Sequence, residues 1–78
     1  MKQVTLFTRR GCHLCERVEG LLRAGRRRAE FELQFVDVDS SAALTEEYGE
    51  RVPVVAIDGQ ELFGSAMDLD SFIEKVSA

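Results

Sequence analysis

The chain has 78 residues, 45% of them hydrophobic, and a formal net charge of −4. That length supports one hydrophobic core and excludes two, and a core of this size needs no covalent or metal staple. No apolar run reaches membrane length, and Met1-Lys2-Gln3-Val4-Thr5 lacks the apolar stretch and small-residue cleavage site of a secretory signal, so a cytoplasmic location and no membrane partner are expected.

The charge is uneven. Residues 1–28 carry eight basic side chains against Glu16 and Glu19, a net +6; residues 29–78 carry Arg51 and Lys75 against twelve carboxylates, a net −10. A basic surround favours thiolates and anionic partners, although surface charges more than about 10 Å apart are largely screened at physiological salt. The run Arg26-Arg27-Arg28 is read as a solvated helix end that complements the negative pole of the helix dipole, and no nucleic-acid partner is expected.

In chain order, Val4-Thr5-Leu6-Phe7-Thr8 is β-branched and aromatic, with apolar side chains on both faces, which predicts a central strand. Leu14, Val18, Leu21 and Leu22 recur at helical spacing, predicting a helix from about Cys12 to Ala24 with Gly25 as its stop signal. Phe31, Leu33 and Phe35 alternate with Glu32 and Gln34 and predict a second strand that runs on through Val36-Asp37-Val38-Asp39. Ser40 or Ser41 caps a short helix through Tyr48, which Gly49 ends. Val54–Ile57 and Glu61–Phe63 flank Asp58-Gly59-Gln60 and read as an antiparallel hairpin. Leu69, Phe72, Ile73 and Val76 form the apolar stripe of a terminal helix from about Ala66 to Val76, with Ser65 or Asp68 as its cap.

The order βαβαββα predicts a single α/β domain over residues 1–78. Its four-stranded sheet should be parallel across the helical crossover and antiparallel at the hairpin, with helices on both faces.

The only two cysteines, Cys12 and Cys15, lie in Gly11-Cys12-His13-Leu14-Cys15, between the first strand and the first helix. At a helix N-terminus the unpaired backbone N–H groups and the positive dipole end favour a thiolate, making Cys12 the better nucleophile, with Cys15 one turn on to close a disulfide. A purely structural bridge explains the pair less well, because a loop this short yields roughly 2 kcal/mol against about 3 for one of fifteen residues. Structural zinc takes four ligands, whereas the chain offers the two cysteines and its lone histidine, His13, so no metal site is expected. Two inert thiols are the remaining alternative to redox chemistry, which the placement between strand and helix favours.

Three segments, Phe7-Thr8-Arg9-Arg10-Gly11-Cys12-His13-Leu14-Cys15, Arg51-Val52-Pro53-Val54 and Phe63-Gly64-Ser65, resemble the landmarks of the glutaredoxin branch of thioredoxin-fold proteins. The resemblance implies a minimal thioredoxin fold with a cis Pro53 beside the cysteines, and a Val52 that offers its backbone N–H and C=O to glutathione or a substrate chain. It assigns Cys12 as the attacking thiolate and Cys15 as the resolving thiol. His13, Arg9 and Arg10 would lower the Cys12 pKa, although a histidine there can equally be a solvated bystander.

His13-Leu14 departs from the family's common Pro-Tyr, Arg51 replaces a threonine, Gly64-Ser65 replaces two glycines, and Asp68 is a displaced counterpart of the acidic residue that follows them. Arg9, Arg10 and Arg51 are candidates to meet glutathione carboxylates, with His13, Val52, Pro53, Gly64 and Ser65 completing that site.

The expected function is a thiol–disulfide oxidoreductase serving electron transport and cell redox homeostasis by reducing protein disulfides or glutathione mixed disulfides. It would be monomeric, have no tightly bound cofactor, and use glutathione as cosubstrate. Two alternatives remain: a redoxin recharged by thioredoxin reductase, and a non-catalytic binding module or iron–sulfur module, against which Cys15 argues.

Overall fold

Apolar side chains on both faces of the first strand require cover on both sides, and the computed structural model, which describes Met1–Ala78, provides it. The elements are β1 (Gln3–Thr8), α1 (His13–Gly25), β2 (Glu32–Asp37), α2 (Ala42–Tyr48), β3 (Val54–Ile57), β4 (Gln60–Phe63) and α3 (Leu69–Val76), with a 3₁₀ turn, Val38–Ser40, before α2. The sheet order is β2-β1-β3-β4. β1 pairs parallel with β2 and antiparallel with β3, which in turn pairs antiparallel with β4. Asp58 and Gly59, with φ of 50° and 84°, form the hairpin turn, the left-handed pair that a two-residue connection with native strand twist requires.

Val4 and Leu6 point to one face and are buried among Val18 and Leu22 of α1 and Phe72 and Val76 of α3. Phe72 is the hub of this core, edge-on to Phe31 at 5.2 Å and to Phe63 at 6.1 Å between ring centroids. On the opposite face Phe7 meets Tyr48 of α2. A Cβ on Gly25 would lie 3.2 Å from Leu69 Cδ1 and 3.5 Å from Phe72, so the small last residue of α1 lets α3 approach closely.

Two boundaries differ from expectation. β2 ends at Asp37 because the Asp37 carboxylate accepts the Asp39 N–H and its carbonyl accepts the Ser40 hydroxyl, which winds Val38–Ser40 into the 3₁₀ turn. α3 starts at Leu69 rather than Ala66: Asp68 is the N-cap, accepting from the Ser71 N–H and hydroxyl, while Gly64 and Met67 close a turn before it. Arg26–Arg28 form exposed turns after α1, and Arg28 pairs with Asp70 of α3 at 2.9 Å. No helix is long and apolar enough to cross a membrane.

Candidate redox site

β1 delivers the chain to a turn in which Gly11, at φ 75°, bends the backbone into α1. Cys12 is the extended N-cap of that helix, and its sulfur accepts the Cys15 N–H at 3.1 Å. Cys12 and Cys15 form a disulfide with Cα atoms 5.2 Å apart. The two sulfurs differ in access: Cys15 is buried, 1% exposed, whereas Cys12 is half-buried and flanked by exposed His13 and Leu14. The accessible sulfur therefore sits at the positive end of α1, where a thiolate is stabilised.

The Val52–Pro53 bond is cis and Pro53 is buried. Because Phe7 is the β1 partner of Val54, the residues just beyond them, Thr8 and Pro53, lie at the same end of the sheet, where the cysteine turn departs. A Cβ on Gly64 would lie 3.5 Å from the Pro53 carbonyl oxygen, which brings the third segment against the second. Val52 departs from expectation: its N–H donates to the Tyr48 carbonyl at 3.1 Å, and so does that of Arg51 at 2.8 Å. These bonds satisfy a carbonyl left over at the end of α2, so of the Val52 main-chain groups only the C=O takes no hydrogen bond within the chain.

Two of the three candidate arginines are committed internally. Arg9 donates Nε and Nη2 to the two carboxylate oxygens of Asp39, at 2.9 and 2.8 Å, and Nη1 to the Gly49 carbonyl at 2.9 Å. The hydrogen bond that Arg9 donates to Asp39 raises the Arg9 pKa, and the same bond holds the Asp39 carboxyl below its ordinary range. Arg51 pairs with Glu61 of β4 and with Glu47, and lies over the Tyr48 ring at 5.2 Å. Arg10 is exposed and makes no ion pair.

Arg17 went unnoticed in the sequence. It reaches from α1 to the Ser65 and Met67 carbonyls, at 2.9 and 3.2 Å, and holds the segment after β4 against the helix. Its place off the apolar stripe of α1 marks it only as polar. Asp39 and Gly49 read in the sequence only as a strand end and a helix stop, and nothing local marks them as partners of Arg9.

A polar cleft of about 340 Å³ adjoins the cysteine turn at the C-terminal ends of β1 and β2, lined by Thr8, Arg10, Gly11, Glu16 and Asp37 among others. The larger cleft, about 560 Å³, lies elsewhere, among Met1, Lys2, Arg28, Asp58 and the last residues of α3. The first is lined by Gly11 and Glu16, the chain neighbours of Cys12 and Cys15, at the sheet end where open α/β sheets favour ligands.

Residues 3–77 match the family model described as Glutaredoxin-like domain (DUF836). Uncharacterized proteins of Mycobacterium tuberculosis and Mycobacterium bovis are 41% identical over 64 residues, which is 76% of this chain; the chain spans 66% of the length of those curated relatives. Among solved structures, a Xanthomonas protein (X. campestris) is 35% identical, with 95% of both chains covered and a TM-score of 0.76. A protein of Nitrosomonas europaea is 32% identical, with 95% of this chain and 89% of that one covered and a TM-score of 0.78. A mutant thioredoxin from Halobacterium salinarum, 22% identical over 97% of this chain and 72% of its own with a TM-score of 0.76, shares the fold.

Proposed function

The chain belongs to the glutaredoxin-like domain family (DUF836) and has a thioredoxin fold, and from that premise we propose that it is a thiol–disulfide oxidoreductase acting through Cys12 and Cys15 on protein disulfides or glutathione mixed disulfides. The observation that carries the reading is the disulfide at the start of α1, with one accessible and one buried sulfur, at the sheet end where Pro53 lies.

In the reduced protein the Cys12 thiolate attacks a partner disulfide sulfur. A Cys12–partner bond forms and one partner thiolate leaves. Cys15 then loses its proton and attacks the Cys12 sulfur, and the second partner thiolate leaves. The partner has gained two electrons and the Cys12–Cys15 pair has lost them. The burial of Cys15 suits the resolving role, since it shields that thiol from outside disulfides while keeping it within reach of Cys12. His13, exposed and next to Cys12 in the chain, takes the role of tuning the thiolate in this reading.

Glutathione, meeting Arg10 and the Val52 C=O, is the proposed cosubstrate that returns two electrons to the pair. Recharging by a flavin-dependent thioredoxin reductase is the second reading, favoured by the internal commitment of Arg9 and Arg51, which leaves fewer cations for glutathione carboxylates. Both fit a monomer working on disulfide-containing proteins in the reducing cytoplasm, where a cysteine pair is more often catalytic than structural.

Titration of the purified protein in glutathione redox buffers, with alkylating quench and intact-mass readout, tests the reading. A reversible passage between two thiols and one internal disulfide is expected, with a glutathione adduct trapped in Cys15→Ser. Reversible oxidation without that adduct shifts the donor to thioredoxin reductase; thiols that stay reduced throughout overturn the proposal.

A further inference from the structure

We propose that Arg9 is a positioning residue, which sets the spacing between the cysteine turn and the Val52–Pro53 segment by holding Asp39 and the Gly49 carbonyl in one guanidinium grip. The inference rests on the thiol–disulfide reading above and assigns a role within that same site.

Strand pairing between β1 and β3 reaches only Phe7 and Val54. Beyond it, no backbone hydrogen bond joins residues 9–12 to residues 49–53. The Arg9 bond to the Gly49 carbonyl is the side-chain hydrogen bond that spans this gap. Arg9 lies three residues before Cys12, and Gly49 opens the short segment that ends in Val52 and Pro53. A planar, forked cation suits this task, because it bonds a carboxylate in two places while a third N–H reaches a carbonyl elsewhere.

Gly49 is a glycine because of its own helix end rather than because of Arg9, which stands at ordinary contact distance from it. It is buried, and a Cβ there would lie 2.5 Å from the Thr45 carbonyl oxygen and 3.4 Å from Arg9 Nη2. Its φ of −51° is open to any residue, so close approach rather than backbone freedom is what favours glycine. Asp39 is fixed in turn, its N–H donating to the Asp37 carboxylate at 2.9 Å. Three chain segments thus meet at one side chain.

A partner polypeptide that reacts at Cys12 while lying along Val52 and Pro53 needs both surfaces in register. A small disulfide reagent needs only the Cys12 sulfur. Misplacement by about 1 Å costs on the order of 100-fold in an oriented reaction, so loss of Arg9 should reduce polypeptide exchange and spare the small reagent.

The test compares reduction of an insulin disulfide with reduction of bis(2-hydroxyethyl) disulfide, in the unsubstituted protein, Arg9→Lys and Asp39→Asn, each checked for folding by circular dichroism. We expect kcat/KM for insulin to fall about 10- to 100-fold in both variants, with the small-reagent rate and the thiolate absorbance titration of Cys12 little changed. Asp39→Asn retains the Arg9 charge and removes its counter-ion, so it separates the roles by sign. If Arg9 acted through its charge on Cys12, Asp39→Asn would lower the Cys12 pKa and speed both reactions. If Arg9 were a glutathione ligand, Asp39→Asn would improve reaction with glutathione disulfide and leave insulin unaffected. Either result, or an unchanged ratio of the two rates, overturns the positioning role alone; an unsubstituted protein that reduces neither disulfide overturns the oxidoreductase reading and this inference with it.

Discussion

Phe7 and Tyr48 lie ring on ring, their centroids 4.1 Å apart and their planes 12° from parallel. The pair fastens α2 to the sheet face opposite α1 and α3, five residues before Cys12 on one side and four before Val52 on the other. The Tyr48 hydroxyl donates to Glu61 of β4 at 3.3 Å, so α2 is held to a second strand as well.

Tyr48 is the only tyrosine, and there is no tryptophan, so its ionisation can be read directly by ultraviolet absorbance. Burial, and then the Glu61 charge and hydrogen bond, raise its pKa above the ordinary tyrosine value. Glu61→Gln should move the titration back toward ordinary. Because the folded chain keeps this proton where the unfolded chain gives it up, stability should fall as pH rises above about 10, the unperturbed tyrosine value. A tyrosine that titrates normally in the folded protein would contradict this arrangement.

The cysteines predict an ordered pair of outcomes. Cys12→Ser should abolish exchange, whereas Cys15→Ser should accumulate a mixed disulfide at Cys12, detectable by intact mass. Adducts appearing at Cys15 in Cys12→Ser at a comparable rate would reverse the assigned order of attack.

Two glycines should respond with opposite sign. Gly11 holds φ 75°, so Gly11→Ala forces a side chain into the left-handed region and should destabilise by about 1–2 kcal/mol. Gly20 is exposed within α1, and a Cβ there would touch nothing within 4 Å. Gly20→Ala should stabilise by about 0.5–1 kcal/mol. Urea unfolding of the two variants checks both signs.

On the acid side, the hydrogen bond from Arg9 holds the Asp39 carboxyl below its ordinary range, and the Ser71 bonds do the same for Asp68. A carboxyl depressed in the folded state adds stability above its unfolded value of about 3.9, and that contribution is lost as pH falls through the folded value. Asp39→Asn and Asp68→Asn should each flatten the acid limb of stability against pH, measured by denaturant unfolding at successive pH values.

The core should respond in proportion to burial. Phe72, fully buried between Phe31 and Phe63, should cost roughly 3–5 kcal/mol on truncation to alanine. Leu14, 51% exposed beside the cysteines, should change stability by less than about 0.5 kcal/mol in Leu14→Ala. Equal losses would mean that Leu14 packs more closely than its exposure shows.

Local chemistry made much of this protein legible from its sequence. Two-faced apolarity placed β1 inside the sheet, Asp58-Gly59 announced the hairpin, and the helical spacing from Leu14 to Leu22 put Cys12 at a helix start. These features rest on side-chain periods of two and 3.6 and on backbone preferences, which residues express among near neighbours. Only the folded chain decided that Asp68 rather than Ser65 caps α3, that the Val52 N–H turns back to Tyr48, and that Arg9 and Arg51 grip Asp39, Gly49 and Glu61. Asp39 and Gly49 stand 30 and 40 residues from Arg9. An arginine's reach is set by which segments the sheet brings past it, so its composition and sequence neighbours mark it as basic while tertiary packing chooses its partner.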